Sequence, residues 1–333
     1  MGPAPSVAAL RVALRSALDL PSGSLVMVAC SGGTESLALA ATTAFVAPRH
    51  GLRAGLLTVD HGLQDGSDRR AAEVVTWAAT LGLTPAAALP VVVGRNGGPE
   101  AAARVARYLA LAAAAREHGA AAVLLAHTQD DQAETVLLAL ARGAGPRGLA
   151  AMPDQKVRHG ARFLRPFLEV SRAQTRAACA ELGLTPWEDP HNADPAYARA
   201  RLRTAMPLLV EALGPDVVAN LARTARLVAS DATYLDRLAA AATPAGDPVV
   251  ADLAVLPAAL RTRILRDLAL RLGAAPGALS AGHIDALDAL VTRWRGQGPV
   301  SLPGGSTVTR RDGQLFGSGT STGTHAESPP AAG

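Results

Sequence analysis

The sequence predicts an α/β protein: a parallel sheet with helices on both faces, then a helical arm and a small α+β domain. Short apolar runs alternate with helical stretches through the first half. Several polar motifs begin where one of those runs stops. Beyond about Met152 the rhythm changes, and helices dominate. Strands alternating with helices imply parallel pairing, and in such sheets ligands bind beyond the carboxyl ends of the strands.

Taken in order, Ser24 to Ala29 reads as a strand, followed by a glycine turn and a helix from Glu35 to Phe45. Gly55 to Val59 is the second strand, closed by Asp60-His61-Gly62. A third spans Leu89 to Val93, and a fourth Ala121 to Ala126. Helices fill the gaps from Arg70 to Leu81 and Pro99 to His118. Later come helices over Ser171–Leu182, Ala196–Leu213 and Pro215–Ala242, the last two read as a connecting arm. The expected domains are 1–212 for nucleotide binding, 213–248 as helical connector and linker, 249–316 as a small substrate domain, and 317–333 as a disordered tail rich in Gly, Ser, Thr and Pro.

Composition narrows the class. At 333 residues the chain can bury a full core. Apolar runs such as Tyr108 to Ala115 are too short to span a bilayer. No basic cluster precedes an apolar segment at the start, so a secretory signal is not expected and the cytoplasm is. The two cysteines, Cys30 and Cys179, form no CxxC pair and suggest neither disulfide framework nor zinc site. The net charge is +4, and Lys156 is the only lysine. Arginine's planar fork grips phosphate and stacks on bases, which suits a polyanionic partner.

The first chemical motif is Ser31-Gly32-Gly33-Thr34-Glu35-Ser36. Its glycines let backbone amides converge on an anion, and the following helix aims its positive end at the same point. It lacks the Lys of a Walker A loop. Asp60 and His61 close the second strand and are candidates for nucleotide contact; alone they read as a polar loop. Gly98-Pro99-Glu100 opens a helix bearing Arg104, Arg107 and Tyr108, with Glu100 and Arg104 spaced to pair along it.

The densest motif is His127-Thr128-Gln129-Asp130-Asp131-Gln132-Ala133-Glu134. Acids at a helix start are commonly caps. Three of them beside a His at a strand end can instead hold magnesium or a cationic amine. Arg142 and Arg147 flank a Gly-rich loop that is also a helix stop. Trp187 to Asn192, then Arg199, Arg201 and Arg203, complete the set. Arginines at every second position cannot share one helical face; Trp187 or Tyr197 offers base stacking to a nucleic acid.

The glycine loop resembles the SGGxDS loop of the ATP pyrophosphatase superfamily, with Glu35 at the Asp position. In order, the SGGxDS-like loop, Val59-Asp60-His61-Gly62-Leu63, the Gly-x-Glu helix, the His127–Thr135 block and the Arg-Gly-Ala-Gly loop resemble the tRNA(Ile)-lysidine synthetase family across residues 20–210. Trp187-Glu188-Asp189-Pro190 and the Arg199–Arg203 run extend the likeness, although Ala200 replaces the family's usual Asn. Residues from about 250 are similar to that family's substrate domain.

The resemblance implies an adenine nucleotide alpha hydrolase-like fold and a carbon–nitrogen ligase. ATP would adenylate C2–O of the wobble cytidine in an isoleucine tRNA with a CAU anticodon. Lysine's ε-amine would then displace AMP. It implies ATP held by Ser31 through Ser36 with Asp60 and His61, and Mg2+ held by Asp131 and Glu35. Asp130, Asp131 and Glu134 would receive the lysine ammonium or its proton, while His127, Arg104 and Arg107 steady phosphate charge. Arg142, Arg147, Arg199, Arg201 and Arg203 are the tRNA-contact candidates. The rivals are a tRNA thiolase, which needs catalytic cysteines or an iron–sulfur cluster, an amide synthetase, which needs no arginine-rich arm, and a degenerate RNA-binding module.

Overall fold

The computed structural model describes residues 2–62, 64, 66–94, 98–187, 196–244, 246–275 and 277–318. Two compact units divide the chain, Met1–Ala229 and Ser230–Gly333.

The first unit is built on a six-stranded sheet ordered β3-β2-β1-β4-β6-β5. β1 (Leu25–Ala29), β2 (Arg53–Asp60), β3 (Ala86–Pro90), β4 (Ala120–Leu124) and β6 (Ala161–Leu164) run parallel, and β5 (Gln155–Arg158) pairs antiparallel at one edge. Side chains of a strand alternate between faces, which divides the core in two. Val26, Val28, Leu56 and Leu124 join one cluster beneath α1 (Pro5–Ala17), α2 (Thr34–Arg49) and α7 (Arg172–Glu181). Leu25, Met27, Leu57 and Val123 join the other, beneath α4 (Pro99–Glu117). There Tyr108 and Phe163 meet edge to face with centroids 5.0 Å apart. Gly55 lets the sheet close up beside it, because a Cβ there would meet Pro85 O at 2.4 Å.

The differences from expectation have local causes. β3 starts three residues earlier than Leu89, since its register is set by pairing Leu56 with Ala86 through Asp60 with Pro90. As an edge strand it tolerates Pro90. The hairpin of β5 and β6 was not expected, because Gln155-Lys156-Val157-Arg158 is exposed and shows no apolar alternation. α1 was not expected either; it buries Val7, Leu10 and Leu14 at helical spacing. α3 (Ser67–Thr80) packs on β2 and β3. α5 (Gln129–Ala141), the short α6 (Gly145–Leu149) and α8 (Ala198–Leu213) follow the sheet, and α9 (Val217–Ala241) runs across the boundary between the units.

The second unit packs α10 (Val250–Ala254), α11 (Ala258–Arg271) and α12 (Ala281–Thr292) with an antiparallel sheet of β7 (Val300–Ser301), β8 (Thr307–Arg311) and β9 (Gln314–Ser318). Its own core gathers Ile264, Leu268, Leu287, Leu290, Val308 and Leu315. Beneath it Arg261 grips Asp288 through Nε–Oδ1 at 2.6 Å and donates from Nη1 to Leu256 O at 2.8 Å. Gly317 and Ser318, expected in the tail, instead pair with Val308 and Thr307; the remainder of that tail, 319–333, lies outside the described residues. Among the described residues no single helix is long and apolar enough to cross a membrane.

Candidate active site

The chain builds β1, β2 and β3 outward in one direction, then returns to lay β4 on the other side of β1. That reversal opens a crevice beyond the ends of β1 and β4, where open α/β sheets bind ligands. The loop after β1 carries Ser31–Ser36, and the loop after β4 carries His127–Asp131. A cavity of about 420 Å3 lies there, walled by Ser31, Gly33, Glu35 and Ser36 on one side and His127 and Asp131 on the other. Asp60 and His61, at the end of β2, complete the wall.

The glycine loop is held from within. Gly32 has φ +81, a left-handed conformation that glycine adopts without strain. Ser31 N donates to Ser36 Oγ at 3.1 Å, and Ser36 Oγ donates to Gly33 O at 2.9 Å. Ser36 therefore ties the loop to the first turn of α2, which begins at Thr34. Asp60 holds its own turn by accepting from Gly62 N at 2.9 Å. Hydrogen bonds from the Ser67 side chain and the Gly62 amide keep its carboxyl below the usual range.

Across the crevice, Asp131 plays two parts. Its Oδ2 accepts from Thr128 N at 2.8 Å, closing a capping box at the start of α5. Its Oδ1 stands 3.2 Å from Nη2 of Arg172 and 3.7 Å from Nη2 of Arg203. Glu134, only 1% exposed, lies 3.0 Å from Arg172 Nη2 and 3.2 Å from Arg203 Nε. Asp130 accepts from the Arg172 backbone amide at 2.7 Å, and Glu35 Oε1 stands 3.2 Å from Arg172 Nε. One guanidinium thus gathers four carboxylates from the two walls.

Burial alone would raise Asp131, but His127, the Thr128 amide, Arg172 and Arg203 together hold it low. Burial would likewise lower Arg172, and Asp131, Glu134 and Asp130 outweigh it, so the guanidinium stays charged. His127 behaves oppositely. Burial, reinforced by Arg107, Arg165 and Arg104 against the pull of Asp131, brings it down to about 3, so the ring is neutral near pH 7. Among the described residues, four carboxylates against two guanidiniums leave the cluster anionic.

Sequence reasoning missed Arg172. It stands second in the Ser171 helix, and its partner Glu35 is 137 residues away along the chain, so no local spacing marks it. The other arginines separate. Arg203 turns inward to the acids, Arg201 is exposed and donates to Ala196 O at 3.1 Å, and Arg199 donates to Thr135 Oγ1 at 3.2 Å. Arg142 and Arg147 are exposed at the end of α5 and in α6. Arg107 reaches the first cavity, whereas Arg104 lines a second cavity with Tyr108. Trp187 also walls the first cavity, with its amide donating to Gly32 O at 2.9 Å and Arg70 stacked 4.5 Å above its ring. The Glu100 side chain, Leu63, and residues 188–195, including Glu188, Asp189, His191 and Asn192, lie outside the described residues.

The hard oxygens of Glu35, Asp60 and Asp131 on the cavity wall are the donor type that magnesium takes. A magnesium bridging substrate phosphates needs only one or two of them. Among the described residues no three His, Cys, Asp or Glu side chains form a metal cage.

A glycine loop opening a helix at the switch point of a parallel sheet, facing an acid-rich helix across one cavity, defines a PP-loop ATP-using enzyme. Residues 9–209 match the PP-loop domain, and residues 249–316 match the TilS substrate binding domain. The tRNA(Ile)-lysidine synthase of Salinispora arenicola is 63% identical over 320 residues, 94% of this chain and 96% of that protein. The Thermobifida fusca protein of the same name is 56% identical over 322 residues, 95% of this chain and 98% of its own. The U34-tRNA thiolase NcsA from Methanococcus maripaludis shares the fold, with a TM-score of 0.56 at 16% identity over 67% of this chain and 80% of that one. The chain belongs to the tRNA(Ile)-lysidine synthase family, whose members are ATP-consuming ligases forming a carbon–nitrogen bond on tRNA.

Proposed function

We propose that the cavity between Ser31–Ser36 and α5 adenylates C2–O of the wobble cytidine in a CAU-anticodon isoleucine tRNA, and that free lysine then attacks C2. Pyrophosphate leaves in the first step. In the second, the ε-amine forms the C–N bond, AMP leaves with the C–O bond electrons, and the amine gives up a proton. The observation that carries this reading is the single cavity walled by both the glycine loop and Asp131.

In this reading the amides of the glycine loop and the positive end of α2 hold the phosphates. Asp60, His61 and Trp187 border the rest of the nucleotide. Magnesium, held by Glu35 and Asp131, would neutralise phosphate charge. His127, kept neutral, donates a hydrogen bond rather than a full charge, and Arg107 supplies the cation near the α-phosphate. Asp130, Asp131 and Glu134 receive the lysine ammonium; one of them accepts its proton, since only the neutral amine is a nucleophile. Arg172 and Arg203 hold those acids ionised. Arg142, Arg147 and Arg201 meet the tRNA backbone, and the cytoplasm supplies all three substrates.

A thiolase reading is disfavoured by the thiols themselves. Burial raises both: Cys30 donates to Ser36 Oγ at 3.5 Å, and Cys179 is pushed to about 11 and donates to Thr34 O at 3.2 Å. Neither is a thiolate near neutrality, the form that attacks or binds iron.

The test is incubation with ATP, labelled lysine and isoleucine tRNA carrying a CAU anticodon. Label in the RNA, with AMP and pyrophosphate released, supports the reading. Pyrophosphate exchange without tRNA points to an amide synthetase; neither exchange nor label leaves only an RNA-binding module.

A further inference from the structure

A second cavity, of about 260 Å3, shares no lining residue with the first and has no part in the chemistry above. We propose that this cavity, walled by Arg104, Tyr108, Lys156, Arg158, Arg165 and Arg199, is a phosphodiester subsite that seats an RNA backbone phosphate next to the reacting nucleotide. The assignment rests on the reading that RNA is the substrate.

The cavity is cationic without compensation. Among the described residues no carboxylate lies within ion-pair distance of Arg104, Arg107, Lys156, Arg158, Arg165 or Arg199. Three of the guanidiniums crowd one ring, with Arg158, Arg104 and Arg107 at 4.5, 5.4 and 5.7 Å from the Tyr108 centroid. Burial together with neighbouring guanidiniums lowers both Arg104 and Arg107. Like charges gathered this closely are costly unless an anion joins them.

Arg165 adds a buried guanidinium to the cavity wall. It is 5% exposed, donates from Nη1 to Pro153 O at 2.8 Å and from Nη2 to Tyr108 Oη at 3.4 Å, and its buried Nε has no partner. The Nε of Arg107 is likewise buried and unpartnered, and Arg107 lines the nucleotide cavity. Arg107, on the wall of the first cavity, stands 5.7 Å from the ring of Tyr108, on the wall of the second.

The occupant follows from charge. ATP has its own cradle at Ser31–Ser36. Free lysine carries a net positive charge, which the five cations of the wall repel. A phosphodiester brings one negative charge shared over two non-bridging oxygens and arrives covalently joined, through the ribose, to the base being modified.

The experiment measures binding of the substrate's anticodon stem-loop to the full-length chain across a range of salt, without turnover. The Lys156→Gln/Arg158→Gln variant is expected to raise Kd on the order of 10-fold and to lower the salt slope by about 1 or more. Its ATP affinity and urea midpoint stay unchanged. Uncharged methylphosphonate is then placed at each phosphate flanking the wobble cytidine. At one of them the loss seen with the parent chain is expected to vanish in the variant.

An unchanged Kd and slope overturn the proposal, as does a variant whose only loss is in binding of free lysine, which assigns the cavity to a carboxylate. Additive losses at both phosphates overturn it too. Because binding is read without catalysis, a chain that binds with the full slope yet incorporates no lysine fails the reaction and leaves this subsite supported.

Discussion

Arg172 Nε stands 3.2 Å from Glu35 Oε1, joining the glycine loop after β1 to the acids of α5 through one side chain. The residue that departs from the SGGxDS pattern is thus the one that reaches this arginine. A double-mutant cycle of Glu35→Gln and Arg172→Gln is expected to show a coupling of about 0.5–3 kcal/mol in urea unfolding, the range for residues in direct contact. Effects that add to within experimental error would mean the pair does not act as one unit.

Asp131→Ala should lower lysine incorporation by about 100-fold or more, with tRNA affinity nearly intact. It also removes the capping box, costing about 1 kcal/mol of stability. Asp131→Asn separates the two roles, because an amide oxygen still accepts from Thr128 N while the charge facing Arg172 and Arg203 is gone. Lost tRNA binding with normal turnover would refute the assignment.

His127 should show no ionisation near its ordinary pH. Its folded value, about 3, lies below the unfolded value of 6.5, so the unfolded chain binds the proton first as pH falls. Its contribution to stability is full above about pH 6.5 and drains away towards pH 3. A ring titrating between pH 6 and 7 by proton NMR, in the range of an ordinary histidine, contradicts the neutral hydrogen-bonding role.

Arg203 and Arg201 should behave differently, though two positions apart. Arg201→Ala, at an exposed side chain, is expected to lower the salt slope of tRNA binding by about 1. Among the described residues, Arg203→Ala leaves the 1%-exposed Glu134 with only Arg172 as its cation, so lysine incorporation should fall while the slope holds. The reverse pattern would place Arg203 on the RNA.

In the second unit, Asp288→Ala leaves the Arg261 guanidinium buried without its carboxylate. Breaking such a pair costs about 3–5 kcal/mol. A lowered urea midpoint in fragments reporting on Ile264 and Leu287 by hydrogen exchange checks it; an unchanged midpoint means that water replaces the pair.

The central sheet was legible because Leu25–Ala29 and Ala120–Leu124 are apolar runs that stop at polar motifs, and the switch-point rule then places those motifs together. The hairpin of Gln155–Leu164 was not, since its outer strand has no buried face to pattern. Arg172 was hidden for a different reason: its chemistry exists only where α7 meets α2 and α5. The arginines of α8 were recognised as a group, but periodicity said only that they diverge, not that Arg203 turns to Glu134 and Arg199 to Thr135.

The adjacency of β1 and β4 has a consequence for how such a ligase can change. In the proposed reaction, capture of the energy donor and reception of the incoming amine fall to separate loops, each anchored to its own strand. Replacing the acids of α5 could redirect the scaffold to a different nucleophile while leaving its use of ATP untouched.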